Sequence, residues 1–102
     1  MSGVQRGYGY QYETVAASQT TQMLGLAGAP GDYLHRLVVT VNTAATSTVT
    51  LTDGLVVIPV VPANVGSGVG VLDIELNMAS GYAGWQVTTG AGVTVVAVGL
   101  FS

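Results

Sequence analysis

Apolar and polar residues alternate along much of this chain, and the alternation predicts short β-strands. The clearest segment is Val71 to Met78, in which every second residue from Leu72 is apolar and Asp73, Glu75 and Asn77 lie between. Successive side chains of a strand point to opposite faces of the sheet, so this segment would have one buried and one solvated face. No window of about 11–18 residues shows sustained helical periodicity, which favours an all-β fold.

Turn residues indicate how the strands are connected. The Asp-Gly pair at 53–54 is a strong hairpin signal, because both residue types tolerate a positive φ. The strand before it would be the threonine-rich segment 46–52, and its partner would be segment 55–58. Pro59 and Pro62 restrict that partner to an edge of its sheet or to a strand end.

A long strand is also predicted from Leu34 to Asn42. Its apolar residues alternate, so that Leu37 and every second residue after it would face the core. By the same alternation His35 shares the Leu37 face. Asp32, His35 and Arg36 are expected to form a local polar cluster where this strand begins, with a role in subunit contacts as the alternative.

About seven short strands at spacings of about 8–12 residues predict a small antiparallel β-sandwich or barrel. The closing strand, Val93 to Phe101, is apolar on both faces, as expected of a position that is central in a sheet or covered by an interface. We place this single domain at residues 20–102 and an extended N-terminal arm at residues 1–19.

The arm is rich in glycine and tyrosine. Tyr8, Tyr10 and Tyr12 follow one another at a spacing of two, so their rings would share one face of an extended chain. A segment of this kind cannot bury three rings by itself, and tyrosine combines a large apolar area with a polar tip. We expect these residues, with Arg6, to dock on a neighbouring protein; a tail that docks on nothing is the alternative.

Charge is scarce and excludes several classes of function. The 102 residues include two Arg, no Lys and five acidic residues, for a net charge of −3, and 7% are charged against about 25% in ordinary domains. The chain therefore lacks the basic surface that nucleic acid requires, and it has neither the apolar stretch of a signal peptide nor a run of about 18 apolar residues for a membrane span.

Because no Lys protects the strand edges, we expect other subunits to cover them in a closed homo-oligomer, twofold or threefold.

Candidate catalytic chemistry is weak. His35 is the only candidate general base, and no nucleophile elbow accompanies it. Asp73 and Glu75 would lie roughly 6.6–6.8 Å apart on one strand face. We expect that face to be solvated, with a cation site between subunits as the alternative. The prediction is a non-enzymatic protein without a cofactor.

Tyr82 and Trp85 are the remaining candidate site residues. Aromatic side chains on an exposed β-face can bind a sugar by ring stacking. The favoured interpretation is that Trp85 anchors the core and Tyr82 covers a rim, with carbohydrate binding as the alternative.

Three segments carry a resemblance to a known group. They are Tyr33 to Asn42, the threonine-rich Thr46 to Gly54, and the closing stretch that reads Gly81-Tyr82-Ala83-Gly84-Trp85-Gln86-Val87-Thr88-Thr89-Gly90 and continues through Val93 to Phe101. Over roughly residues 20–102 the chain resembles the small head decoration, or capsid cement, proteins of tailed phages.

The resemblance implies a small β-sandwich or barrel that binds the outside of an icosahedral shell, often as a homotrimer, with an arm that reaches the shell or a neighbour. The partner would be the major capsid protein, and the location would be the capsid surface of a virion whose proteins are made in the host cytoplasm. The alternative is a carbohydrate- or receptor-binding β module of a phage tail fibre or surface protein, in which Tyr82 and Trp85 would carry recognition.

Overall fold

The computed structural model describes residues 10–42, 48–61 and 70–102 and folds them into eight β-strands in two antiparallel sheets. The strands are β1 (Gln11–Val15), β2 (Gln22–Met23), β3 (Tyr33–Val41), β4 (Val49–Asp53), β5 (Val56–Val61), β6 (Gly70–Ala79), β7 (Trp85–Thr89) and β8 (Val93–Leu100). The predicted all-β sandwich is confirmed. Within the described ranges there is no helix, and hence none with the length and apolar character needed to cross a membrane.

Each sheet has four strands, in the order β1-β8-β3-β6 for the first sheet and β2-β7-β4-β5 for the second. The strand that is apolar on both faces, β8, lies between β1 and β3, so it takes the central one of the two positions expected for it. The proline-containing strand β5 is an edge strand, as predicted, because proline cannot donate a hydrogen bond to a second neighbour.

The core lies between the sheets and is made almost entirely of aliphatic side chains from alternate strand positions. In β3, β4, β7 and β8 the burial pattern alternates along most of the strand, as the sequence predicts. The buried hydrophobic residues are Val15, Leu24, Leu34, Leu37, Val39, Val41, Val49, Leu51, Val61, Trp85, Val87, Val93, Val95, Ala97 and Phe101. On the edge strand β6 the same alternation holds, but Ile74, Leu76 and Met78 are only half-buried.

Part of the predicted arm belongs to the sandwich. Residues 11–15 are extended, as expected of an arm, but they pair with β8 as strand β1, and Val15 is fully buried in the core. The sandwich therefore includes β1, since the free edge of β8 accepts this strand. Arg6 and Tyr8 lie outside the described residues.

The predicted hairpin between β4 and β5 is present, with its turn one residue further along. Asp53 pairs with Val56, so the two-residue loop consists of Gly54 and Leu55 rather than Asp53 and Gly54. Gly54 has a φ of 63° at the first loop position, where type II′ turns carry glycine. Asp53 remains in the strand because its buried carboxylate binds the loop at residues 80–84.

Candidate functional site

A β-bulge brings two consecutive polar residues to the outer face of the first sheet. The pairing of β3 with both of its neighbours shifts between Leu34 and Arg36. A bulge inserts one extra residue, so Leu34 and Leu37 both face the core although they are three positions apart. His35 therefore lies beside Arg36 on the outer face, and the prediction that it shares the Leu37 face is wrong.

The facing strand β6 carries a complementary irregularity. Leu34 pairs with Met78 and Arg36 with Glu75, so two residues of β6 lie opposite His35 alone. One of the two, Asn77, has a φ of 51°, in the left-handed region that asparagine tolerates better than most residues. The irregularity places the side-chain oxygen of Asn77 within hydrogen-bonding distance of His35.

Hydrogen bonds determine the protonation pattern of the His35 ring. Arg36 Nη2 lies 3.2 Å from His35 Nε2, and since a guanidinium can only donate, Nε2 must accept. The proton of the neutral ring is therefore assigned to Nδ1, which donates to Asn77 Oδ1 at 2.8 Å. The same oxygen accepts the hydroxyl of Tyr33 at 2.7 Å. Because Nδ1 must donate, the Asn77 atom facing it must be oxygen.

Tyr10 joins this group on the same outer face, from the β1 edge of the sheet. Its ring stacks on His35 with 4.6 Å between centroids and 17° between planes, and it lies 5.9 Å from the ring of Tyr33. Tyr10 precedes β1 whereas His35 belongs to β3, so the contact spans the intervening strand β8. Tyr12 is 68% exposed and pairs with Val98 on β8. Tyr10, the first described residue, thus lies against the outer face of the first sheet.

Arg36 completes what we call the outer-face cluster: Tyr10, Tyr33, His35, Arg36, Asp73 and Asn77. Its Nη1 donates to Asp73 Oδ2 at 2.7 Å, in a pair whose side chains are 35% and 53% exposed. Exposed pairs of this kind contribute about 1 kcal/mol or less to stability, so the pair mainly orients the guanidinium toward His35. Glu75, which pairs with Arg36 in the register, is exposed on the same strand.

Asp32 does not belong to this cluster, which corrects the expected grouping with His35 and Arg36. Its carboxylate is buried and accepts hydrogen bonds from Ala29 N at 3.1 Å and from the Ser102 hydroxyl at 2.7 Å. Its side chain therefore fastens the start of β3 to the residues that follow β8. No pattern in the sequence indicates a partner 70 positions away.

A second buried carboxylate organises the loop at residues 80–84. Asp53 accepts the Ser80 hydroxyl at 2.7 Å, Gly81 N at 2.8 Å, Ala83 N at 3.1 Å and Tyr82 N at 3.2 Å. The Ser80 hydroxyl in turn accepts Gly84 N at 2.8 Å. One carboxylate thus ties the hairpin between β4 and β5 to the loop between β6 and β7.

These bonds set the charge state of Asp53. Burial by itself would raise the pKa of the carboxyl, but the hydrogen bonds from Ser80 and from the amides of Ala83, Gly81 and Tyr82 outweigh burial and lower the pKa below its ordinary value. Asp53 is accordingly a structural anion that holds the loop.

Tyr82 and Trp85 do not form an exposed aromatic pair. Trp85 is only 2% exposed, and its ring nitrogen donates to the backbone oxygen of Asp32 at 3.0 Å. Tyr82 is 67% exposed on the neighbouring loop. The favoured interpretation of Trp85 as a core anchor is therefore confirmed, and a sugar-stacking platform that needs Trp85 at the surface is excluded.

The hydrogen-bonding groups of the outer-face cluster are engaged with one another. Both ring nitrogens of His35 are engaged by Asn77 and Arg36, so neither is free to act as a base in this arrangement. Residues 10–42, 48–61 and 70–102 contain no group of three or more His, Asp or Glu side chains arranged to hold a metal ion. Asp73, a candidate cation ligand in the sequence, instead binds Arg36.

Comparison of the chain with protein-family models, with curated proteins and with solved structures found no match.

The lowered pKa of Asp53 predicts a specific loss of stability in acid. Because the folded-state pKa lies below the unfolded value of about 3.9, the contribution of the carboxylate is complete above that value and is lost as the pH falls through the folded pKa. Chemical denaturation between neutral pH and pH ~2 should show the stability difference between wild type and Asp53→Asn shrinking with acid. Asp73→Asn, which alters an exposed carboxylate, is the control; a difference for Asp53→Asn that stays constant over this range would contradict the assignment.

The hydrogen bonds of His35 predict its tautomer. Since this is the only histidine in the chain, its ring nitrogens can be identified by ¹⁵N NMR at alkaline pH without ambiguity. We expect Nδ1 to carry the proton, and we expect Arg36→Ala to weaken this preference by removing the donor to Nε2. A ring protonated mainly at Nε2 in the wild-type protein would show that the cluster is not formed as described.

Proposed function

We propose that this chain is a non-enzymatic structural protein that binds the outer surface of a tailed-phage capsid and stabilises it. Two features support this function. Residues 20–102 resemble capsid cement proteins, and the surface of the sandwich is apolar. Within residues 10–42, 48–61 and 70–102, the exposed large hydrophobic residues are Tyr10, Tyr12, Leu26, Leu55, Val56, Val57, Val71, Leu72, Tyr82 and Leu100.

Few charges balance these apolar side chains. The described residues carry one basic side chain, Arg36, and two of their five acidic groups, Asp32 and Asp53, are buried. A solvated monomer usually has about 25–35% charged residues on its surface. A surface of this composition favours contact with other protein, both between copies of the chain and with the major capsid protein.

The proposed mechanism is multivalent clamping. A homo-oligomer, with a trimer favoured, would present several modest contacts to neighbouring shell subunits, and linked contacts raise avidity by about 10²–10⁴ over a single contact. The shell contact would be made by Arg6, Tyr8, Tyr10 and Tyr12. In its support, Tyr10 and Tyr12 are the exposed aromatic side chains at the place where the arm joins the sandwich.

The alternative, a carbohydrate- or receptor-binding module, relied on Tyr82 and Trp85 as an exposed pair. With Trp85 buried, that alternative lacks its recognition platform, and no other observation favours it over capsid binding.

The arm can be tested without damage to the fold. Because Val15 is part of the core, a truncation must stop before β1, so residues 1–9 are deleted and Tyr12→Ser is added. We expect this variant to keep the unfolding midpoint of the wild type but to lose binding to empty shells assembled from the major capsid protein of the phage that encodes the chain. Bound protein is measured by co-sedimentation with the shells.

Thr14→Ala, an exposed change on the same strand, is the matched control and should bind as the wild type does. Full occupancy of the shells by the truncated variant would reject residues 1–9 and Tyr12 as the contact.

A further inference from the structure

One hydrogen bond of the outer-face cluster can exist only while the His35 ring is neutral. Arg36 Nη2 lies 3.2 Å from His35 Nε2, and a guanidinium can donate but not accept. A protonated imidazole carries an N–H group at each nitrogen, so Nε2 would then direct a proton at another donor. Uptake of a proton therefore breaks the bond between His35 and Arg36 and places two positive charges side by side.

The other contacts of the ring are compatible with both charge states. Nδ1 carries a proton in either state and donates to Asn77 Oδ1 at 2.8 Å. The ring of Tyr10 stacks on the imidazole with 4.6 Å between centroids, and the face of an aromatic ring also attracts a cation. Protonation of His35 thus changes the side of the ring that faces Arg36 and leaves the other contacts in place.

A released Arg36 has carboxylates within reach on β6. Its Nη1 already donates to Asp73 Oδ2 at 2.7 Å. Glu75 lies opposite Arg36 in the register and is exposed. The guanidinium can therefore turn away from His35 and keep its pair with Asp73.

Few other charges face the ring. Among the residues that the structure describes, the charged side chains on this face are Arg36, Asp73 and Glu75. Tyr10 and Tyr33 also lie against His35, and tyrosine ionises only near pH 10. The outward positions of β1 and β8, which complete this face, are uncharged and hold Tyr12, Thr14, Thr94, Val96, Val98 and Leu100. With one positive and two negative groups present, a proton on His35 takes the formal charge of this face from −1 to zero.

We propose that His35 is a pH-sensitive switch on the outer face of the first sheet, whose protonation transfers Arg36 from the ring to the carboxylates of β6. Tyr10 and Asn77 keep their contacts with the ring. Histidine is the residue type that changes charge between pH 5 and 8, whereas Asp and Glu side chains ordinarily titrate below that range. The ring is half-buried, so protons reach it from solvent without unfolding. The switch follows from the cluster alone and does not depend on the proposed function.

The switch can be followed by NMR of the full chain between pH 8 and pH 5. His35 is the only histidine, so its ring signals report its titration directly. The Nε–H signal of Arg36 is identified by its absence from the spectrum of Arg36→Lys. His35→Gln is the matched control, because a glutamine side chain can still bond Arg36 and Asn77 but takes up no proton in this range.

We expect the Arg36 Nε–H signal of the wild type to shift with the same pH midpoint as the His35 ring. NOEs between the rings of Tyr10 and His35 should persist at both ends of the range, and the Arg36 signal of His35→Gln should stay fixed.

An Arg36 signal that does not move while His35 titrates would overturn the switch, and so would an equal shift in His35→Gln. A His35 ring that takes up no proton down to pH 5 would overturn it as well. Loss of the Tyr10 NOEs in acid would show that the whole cluster opens, which contradicts a switch on one side of the ring.

Discussion

The interleaving of side chains between the two sheets is the constraint on which this molecule depends. Each strand has to supply apolar residues at alternate positions, and in β3, β4, β7 and β8 these positions are held mainly by valine and leucine that are almost completely buried. The outward positions are then free to vary. Here the outward positions hold threonine, valine and tyrosine far more often than charged side chains. The apolar inward residues are buried, and the weakly charged exterior that remains is suited to contact with other protein.

Two buried carboxylates complete the ends of the sandwich. Asp32 fastens the start of β3 to Ser102, and Asp53 fastens the β4–β5 hairpin to the loop after β6. A buried carboxylate is stable only when its oxygens are hydrogen-bonded, and in both cases backbone amides and a serine hydroxyl satisfy it. Two of the five acidic side chains are therefore buried and hold the fold together, so the surface carries fewer negative charges than the sequence suggests.

Alternation and proline placement alone predict the strand segments, the edge position of β5 and, as one of two expected positions, the central position of β8. The face of His35 could not be predicted, because a bulge breaks the alternation on which the prediction rests and no residue type signals it. The role of Asp53 has no signal in the sequence for a related reason, since an Asp-Gly pair predicts a turn whether or not the carboxylate binds elsewhere. The sequence predicts an arm where β1 lies, because the segment alternates tyrosine with polar residues and has a single buried apolar residue, Val15.

We propose that other protein covers this weakly charged exterior, and sedimentation of the pure chain at micromolar concentration tests this most directly. The account predicts a discrete oligomer that persists from low salt to about 0.5 M salt, because apolar and main-chain contacts are little affected by ionic screening. A chain that sediments as a stable monomer, soluble with its strand edges bare, would contradict it.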